Sequence, residues 1–450
     1  MTGPPVAVVG AGWAGCAAAV TLAAQGIPVR LYEAAPVLGG RGRRVERDGL
    51  RLDNGQHLFL GAYARTLELM ALVHGERAAR ALFVRTPLSI VPFAATQPDA
   101  LTLRSRRAPG RLGLLAGLLT ARGFSWHERI ANIAWFRRIE RAGFVRPARE
   151  TVAKLLAPLP PRVARLLWEP LCLAALNTPI ASASARVFAN LLRAAFAGAA
   201  EASDFMLSAT NLSALFPDAA AEFVTAHGGS VHIGVHARIV AANREQVTLA
   251  VDGNAQAART AIVAVGPHQL RQAFAGEALA QHPPLAAAIG ALELLAYEPI
   301  VTIWLGYAAA VAMPGPIARL DDAPGQWVID RPDVLAAAAA GHPPLAQLLA
   351  VVISAGGPHM ALPHAQLAHN ADAQLRRLRP ALPPCAWSQV IAEKRATYAC
   401  TPQRATPTGV RLAPGVYLAG DYVDTEYPAT LEAAVRSGIA AAEALLADRS

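Results

Sequence analysis

The strongest constraint on this chain is a run of three spaced glycines, Gly10-Ala11-Gly12-Trp13-Ala14-Gly15. It follows a short apolar segment, Val6-Ala7-Val8-Val9, and opens an Ala-rich stretch from Cys16 to Gln25 that Gly26 closes. Such spacing alone is weak in a chain holding 35 glycines. Its setting makes it specific: a strand precedes it, a helix follows it, and a second apolar strand, Pro28-Val29-Arg30-Leu31-Tyr32, ends at Glu33. These residues predict a compact β-α-β unit of about thirty residues. Gly10 permits the tight turn, Gly12 lets the backbone approach a pyrophosphate, and Gly15 lets helix and strand pack closely. The helix N-terminus adds unpaired N–H groups and the positive end of its dipole. Glu33 then meets the ribose hydroxyls of a dinucleotide, and its carboxylate disfavours a 2′-phosphate there.

More strand material lies far along the chain, at Ser230 to Arg238, Gln246 to Val251 and Ala261 to Val265, the last ending at Gly266-Pro267. Another buried strand, Val416-Tyr417-Leu418-Ala419, runs into Gly420-Asp421 and a helix from about Ala429 to the C-terminus. The expected fold is therefore α/β: a discontinuous, Rossmann-like dinucleotide-binding domain from residues 1–85, 216–275 and 399–450. Residues 86–215 and 276–398 form an inserted mixed α+β, largely helical substrate domain. Leu103 to Ala200 reads as helical and Arg-rich, with breaks at Pro147, Pro158, Pro160-Pro161 and Pro170. Ala275 to Ala396 alternates helical runs with short strands such as Ile300 to Leu305 and Leu349 to Ser354.

Composition narrows the class. With 54% hydrophobic and 16% charged residues the chain can bury a large core, which excludes disorder, collagen and coiled coil. The net charge is +9, and all but two of the 41 basic residues, Lys154 and Lys394, are arginine. That charge is spread along the chain without a nucleic-acid-binding motif, so no nucleic-acid partner is expected, whereas anionic lipid suits it. Cys16, Cys172, Cys385 and Cys400 form no C-x-x-C pair, and Met1-Thr2-Gly3-Pro4-Pro5 lacks a charged leader, so a reducing cytoplasmic setting and no metal site are expected. Pro299 to Ala318 has the length of a membrane span but holds Pro314-Gly315-Pro316, and reads as core strand and turn.

Six residues beyond Glu33 comes Gly39-Gly40-Arg41-Gly42-Arg43. Gly40 lets a second backbone segment approach the dinucleotide, and Arg41 and Arg43 can set guanidinium forks beside phosphate; a solvated basic turn is the bland alternative. Glu33-Ala34 followed by Leu38-Gly39-Gly40-Arg41 is the pattern of FAD rather than NAD binders. With it the sequence resembles the flavin amine oxidase and phytoene desaturase superfamily. Leu52-Asp53-Asn54-Gly55-Gln56-His57 is similar to the family segment that passes close to the flavin, and Glu393 to Tyr398 to a stretch of carotenoid desaturases leading into the last FAD-binding portion. Gly420-Asp421, Tyr427 to Glu432 and Ser437-Gly438 fit the C-terminal FAD signature. The nearest likeness is to the squalene-associated flavoproteins of bacterial hopanoid pathways.

The resemblance implies non-covalent FAD held by Gly10, Gly12, Gly15, Glu33, Gly40, Arg41, Arg43, Gly55, Val235, Gly420 and Asp421. Pro428 suits the first turn of a helix, so the N–H groups of Ala429, Thr430 and Leu431 are expected at the flavin pyrimidine edge, where negative charge develops on reduction. Asp421 would accept from a ribityl or ribose hydroxyl, or simply cap a loop. His57 is the candidate proton donor and Tyr398 a candidate for the flavin face, each equally readable as a packed structural residue. Asp204, Asp424 and Glu426 are softer candidates. The segment from Phe124 to Phe144, with Arg122, Arg129, Arg137, Arg138 and Arg141, suits a membrane surface or a substrate entrance, or is a solvated helix face.

The implied reaction is reductive removal of the hydroxyl from hydroxysqualene, a lipophilic C30 isoprenoid alcohol, with hydride from reduced FAD; a reductant must recharge the flavin. The runner-up is a carotenoid or other isoprenoid desaturase. Amine oxidation in the superfamily commonly uses a lysine near the flavin, and Lys394 falls in the desaturase-like stretch instead. A non-catalytic lipid-binding relative, like the GDP-dissociation inhibitors of prenylated GTPases, lacks an intact FAD site, whereas the signature here is complete.

Overall fold

The computed structural model describes residues 4–97, 99–106, 108 and 111–448. Met1 to Gly3 of the leader reading, and the last two residues of the expected closing helix, lie outside the described residues. The apolar strand Val6–Val9 is fully buried, as a parallel strand covered on both faces must be. It sits inside a six-stranded sheet in the order Ser230–Ile233, Val29–Glu33, Val6–Val9, Ala261–Val263, Val416–Leu418, Arg411–Ala413. All neighbours are parallel except the final hairpin. The register sets Val9 beside both Tyr32 and Val263. Three adjacent strands therefore end together at Gly10, Glu33 and Ala264, making the crevice at their carboxyl ends where such sheets bind ligands.

The first helix spans Trp13–Ala24 with Gly12 as its N-cap, three residues earlier than the Ala-rich stretch suggests. The second half of the glycine motif is thus already helical. This helix packs on the closing helix, Leu431–Ala447. A Cβ on Gly438 would lie 2.1 Å from the Ala14 carbonyl oxygen, so these backbones meet through Gly438 and buried alanines. The closing helix corrects one expectation: Thr430 is its N-cap, the hydroxyl accepting from Ala433 N–H at 3.2 Å, so Pro428 lies ahead of the cap and not in the first turn. The expected strand from Ser230 to Arg238 is also broken. Gly234 takes φ +74°, and the chain leaves the parallel sheet for a three-stranded antiparallel one that begins with Ala237–Ala242.

The segment read as alternating helices and short strands contains a five-stranded antiparallel sheet with the long strand Tyr297–Tyr307 between Gln347–Ser354 and Cys385–Tyr398. Pro299 to Ala318 is core strand and turn, as expected, and no helix among the described residues is long and apolar enough to cross a membrane. Alternation along Tyr297–Tyr307 sends Val301, Ile303 and Leu305 under the helix His364–Leu378 and Ile300 and Trp304 to the opposite core. Between Leu112 and Phe196 the chain is helical, and Trp135, Phe136, Trp168, Phe188 and Phe196 interlock there, with Trp135 and Trp168 rings 4.8 Å apart.

Candidate active site

One cavity of about 860 Å³ is walled by both large sheets and the helical layer. At its dinucleotide end the backbone decides the shape. Gly10 takes φ +99°, and a Cβ there would lie 2.7 Å from the Ala264 oxygen. Gly15 stands behind the wall, where a Cβ would come within 1.9 Å of the Gly10 oxygen. Gly12 is different: the nearest atom to its Cβ would be Gly40 Cα at 3.9 Å, so its bareness serves the cavity and not the fold. Gly39 N–H donates to the Ala11 oxygen at 2.9 Å, which lays the two glycine segments side by side.

Glu33 closes this cradle. Its Oε2 accepts from Ala11 N–H at 2.8 Å and its Oε1 from Ala35 N–H at 2.9 Å, leaving a lone pair on each oxygen for a ribose. Val235 N–H donates to the Glu33 carbonyl at 2.9 Å, which sets Val235 in the same wall. Arg41 donates to Asp421 Oδ1 at 2.6 Å and to the Ala396 carbonyl at 2.9 Å, tying the second glycine segment to the C-terminal signature. Arg43 donates to the Gly40 carbonyl at 2.6 Å. Both guanidiniums therefore hold loops first, and Asp421 is engaged by Arg41. Gly420 needs its missing side chain because a Cβ would lie 2.3 Å from Tyr422 Cε1, and Tyr422 in turn donates to the Val265 carbonyl at 3.0 Å. Ala429, Thr430 and Leu431 also line the wall. Two facing glycine backbones, a carboxylate with free lone pairs and a helix N-terminus fit FAD.

The segment after Leu50–Asp53 is held by a buried ion network. Asp53 accepts from Leu212 N–H at 2.7 Å and from Arg331 at 3.0 Å. Arg331 also donates to Gln56 Oε1 at 2.8 Å and grips Asp333 through two further bonds. Burial pushes the Asp53 carboxyl above its ordinary range and Arg331 pulls it back. Gly55 and His57 consequently face the cavity. His57 Nδ1 lies 3.0 Å from the Gly55 carbonyl, so Nδ1–H donates and the neutral ring presents Nε2 as an acceptor. Burial pushes its pKa below 6.5, and the hydrogen bond to Gly55 opposes this. A ready imidazolium near neutral pH is therefore not what this site maintains.

Tyr398 is the candidate that the fold keeps away from the cavity. It is buried beneath Arg404, whose guanidinium carbon stands 4.4 Å from the ring centroid, and donates weakly to the Tyr427 carbonyl at 3.4 Å. Asp424 pairs with Arg436 at 2.7 Å and accepts from the backbone of Glu426 and Tyr427, so it shapes a turn. Glu426 is exposed, and Asp204 is buried outside the wall.

Sequence reasoning missed Arg331, Asn177 and the apolar wall. Asn177, at φ +47°, donates to the carbonyls of Glu298 and Pro299 and to Thr397 Oγ1 while accepting from Ala355 N–H, joining helix and sheet beside the cavity. The apolar wall comprises Leu171, Phe188, Leu191, Leu192, Ala195 and Phe196, with Phe205, Ile300, Ile329 and Val352. The helical spacing 188, 191, 192, 195, 196 was the available signal, but it is also that of any core helix.

A crevice built this way defines a dinucleotide-binding flavoenzyme. The chain belongs to the family described as flavin containing amine oxidoreductase, which it matches over residues 13–446. It is an FAD-dependent oxidoreductase. Among curated relatives it is similar to a hydroxysqualene dehydroxylase of Rhodopseudomonas palustris, 29% identical over 458 residues that cover 98% of each chain. A zeta-carotene desaturase of Zea mays is 45% identical, but over 69 residues, 15% of this chain and 12% of that one. Among solved structures, an oxidoreductase from Methanosarcina mazei superposes with a TM-score of 0.72 at 15% identity, covering 98% of this chain and 100% of that one, a likeness of fold alone.

Proposed function

We propose that this chain converts hydroxysqualene to squalene in squalene and hopanoid biosynthesis: a C–O bond breaks, a C–H bond forms, and the hydroxyl leaves as water. The observation that carries this reading is the end-to-end correspondence with a hydroxysqualene dehydroxylase, where the desaturase match reaches 15% of the chain. Reduced FAD, when bound, supplies the hydride. Gly10, Gly12, Glu33, Gly40, Arg41, Val235 and Asp421 would hold it, with Ala429 to Leu431 along its edge.

The chain's own residues supply the rest. Leu171, Phe188, Leu191, Leu192 and Phe196 take up the isoprenoid, each apolar Å² removed from water contributing about 25 cal/mol. The same wall excludes water from the carbon that gains positive charge as the C–O bond lengthens. His57 is the proposed proton donor to the departing oxygen, working from a small protonated fraction at neutral pH. Neither lysine is positioned for amine chemistry: Lys154 and Lys394 are exposed and outside the cavity wall.

The deciding experiment is anaerobic incubation of dithionite-reduced protein with hydroxysqualene, followed by product analysis. Squalene in proportion to the flavin reoxidised is expected. A more unsaturated product made only by oxidised protein would assign the desaturase reading, which the short zeta-carotene desaturase match favours.

A further inference from the structure

The hairpin of helices Leu112–Thr120 and Trp126–Arg141 presents two unlike faces. Inward, Trp135, Phe136 and Ile139 are buried, and Phe136 packs edge-on against Phe196 at 5.7 Å. Outward, large apolar side chains stand in solvent: Trp126 is 67% exposed, Ile130 62%, Leu112 57% and Leu119 45%. Helical spacing puts Trp126 and Ile130 on one stripe, continued by Arg137 and Arg141, so apolar and cationic groups share a single surface. Arg129 joins the two helices by donating to the Leu119 carbonyl at 3.0 Å and stacking 4.8 Å from the Trp126 ring, which fixes Leu119 and Trp126 as neighbours.

The charge on this face is uncompensated. From Arg111 to Arg141 the sequence has six arginines against Glu128 and Glu140. Glu128 is occupied in a capping box with Ser125, and Glu140 pairs with Arg111 at 2.6 Å. Among the described residues no carboxylate pairs with Arg122, Arg137, Arg138 or Arg141, all of them exposed. A second copy of the chain would bring the same positive charge to this surface. A phosphate-rich layer with hydrocarbon beneath it satisfies both halves at once: the arginines meet headgroup phosphates while Trp126, Ile130, Leu112 and Leu119 enter the acyl boundary.

We propose that this hairpin is the docking face for an anionic lipid bilayer, bound peripherally. The inference stands on this surface alone and does not depend on which reaction the cavity performs. It places the bilayer one helix layer from the apolar wall, because Phe196 contacts Phe136 on one side and lines the cavity on the other.

The test is co-sedimentation of the FAD-loaded protein with vesicles of phosphatidylcholine and phosphatidylglycerol, compared with phosphatidylcholine alone. Binding to the anionic vesicles at low salt is expected, falling steeply on raising salt to about 0.15 M because each arginine contributes through a screened attraction. The double substitution Trp126→Gln/Ile130→Gln should weaken partitioning about 10-fold or more, and Arg137→Gln/Arg138→Gln/Arg141→Gln should remove the preference for the anionic lipid. Flavin content and melting temperature verify that each variant is folded, and Trp126→Phe, which keeps an aromatic anchor, should retain binding. Leu294→Gln, at an 85% exposed apolar site elsewhere, should change nothing. Wild-type protein that ignores anionic vesicles, or a double variant that binds as well as wild type, overturns the proposal. So does a variant whose only change is loss of a dimer in size-exclusion light scattering, which would make the occupant a second copy.

Discussion

The two ends of the cavity are built by opposite means. At the dinucleotide end, positions are set by main-chain atoms, and Gly10, Gly15 and Gly420 are required because a Cβ would fall between 1.9 and 2.7 Å from a neighbouring atom. At the apolar end, side chains from the helix Ala185–Phe196 and the strands Tyr297–Tyr307 and Gln347–Ser354 make the wall, and what matters is summed volume and hydrophobicity. Backbone-defined sites fail by single substitutions, whereas side-chain-defined sites should drift. On the proposed reading, the first end would hold the cofactor, and the second would be where related enzymes part company over substrate.

The largest expected effect comes from comparing two glycines of one motif. Gly15→Ala forces a Cβ to within 1.9 Å of the Gly10 oxygen, a backbone atom that cannot rotate away, so helix and strand must separate. Protein purified with this change should carry no flavin after addition of excess FAD and should melt well below the parent apoprotein. Gly12→Ala has room, its nearest neighbour standing 3.9 Å off. Its apoprotein should melt as the parent does while FAD binding weakens about 10-fold or more, because the methyl occupies space needed for close approach of a pyrophosphate. Equal losses in both variants would dissolve the distinction between a packing glycine and a binding glycine.

His57 lines the same cavity, and its effect on rate comes next. Removing a general acid typically costs about 10²–10⁴-fold, so His57→Gln should slow reoxidation of reduced flavin by hydroxysqualene by at least about 100-fold, with FAD content unchanged. The pH profile has a definite sign. Burial lowers the His57 pKa below 6.5, so above it the protonated fraction falls about tenfold per pH unit. The wild-type rate should therefore rise as pH drops from 8 toward about 6, and the variant's should not. The same shift costs stability on acidification, since below about pH 6.5 the unfolded chain takes up a proton that the folded chain resists. Stopped-flow traces that are parallel for both proteins across this range would make His57 a structural residue.

Glu33→Ala is expected to be milder. It removes the acceptors for Ala11 and Ala35 N–H as well as those offered to a ribose, so it should weaken FAD by about 1–3 kcal/mol, or roughly 5- to 150-fold, and also lower the apoprotein's melting temperature. Glu33→Gln keeps one acceptor oxygen and should recover part of both. Turnover per bound flavin should hardly change. A titrated FAD dissociation constant within twofold of the parent's would leave Glu33 as a loop brace only.

The same contrast explains what the sequence revealed. The glycine motif, Glu33, Gly40 and Gly420-Asp421 were legible because each sits in a short local motif where a main-chain or charge requirement restricts residue type, although the pairing of Asp421 with Arg41 spans 380 residues. The helix start at Trp13 was misjudged because alanines advertise helix and the glycines hide it. Arg331 could not be found: it meets Asp53 across 278 residues, and nothing near it in the chain marks an arginine destined for burial. Tyr398 misled for the opposite reason, since a motif placed it near the flavin portion while its ring turned under Arg404 and away from the cavity. The apolar wall stayed invisible because leucine and phenylalanine at helical spacing are the signature of every core.

The smallest expected effect is therefore the sharpest test of tolerance at the apolar end. Leu192 is 4% exposed and lines the cavity. Leu192→Met conserves volume and apolarity, and such exchanges usually cost less than about 1.5 kcal/mol, because methionine can bend to fill the space that leucine leaves. FAD affinity should stay within twofold, since no dinucleotide contact is touched, and KM for hydroxysqualene should move by no more than about threefold with kcat unchanged. Leu192→Ala provides the scale, deleting the branched side chain and costing about 2–5 kcal/mol through lost burial and the cavity left behind. If Leu192→Met instead discharged the flavin or abolished turnover, the apolar wall would be as exacting as the glycine cradle. Substrate choice would then rest on shape at single positions, and the contrast between the two ends would have to be given up.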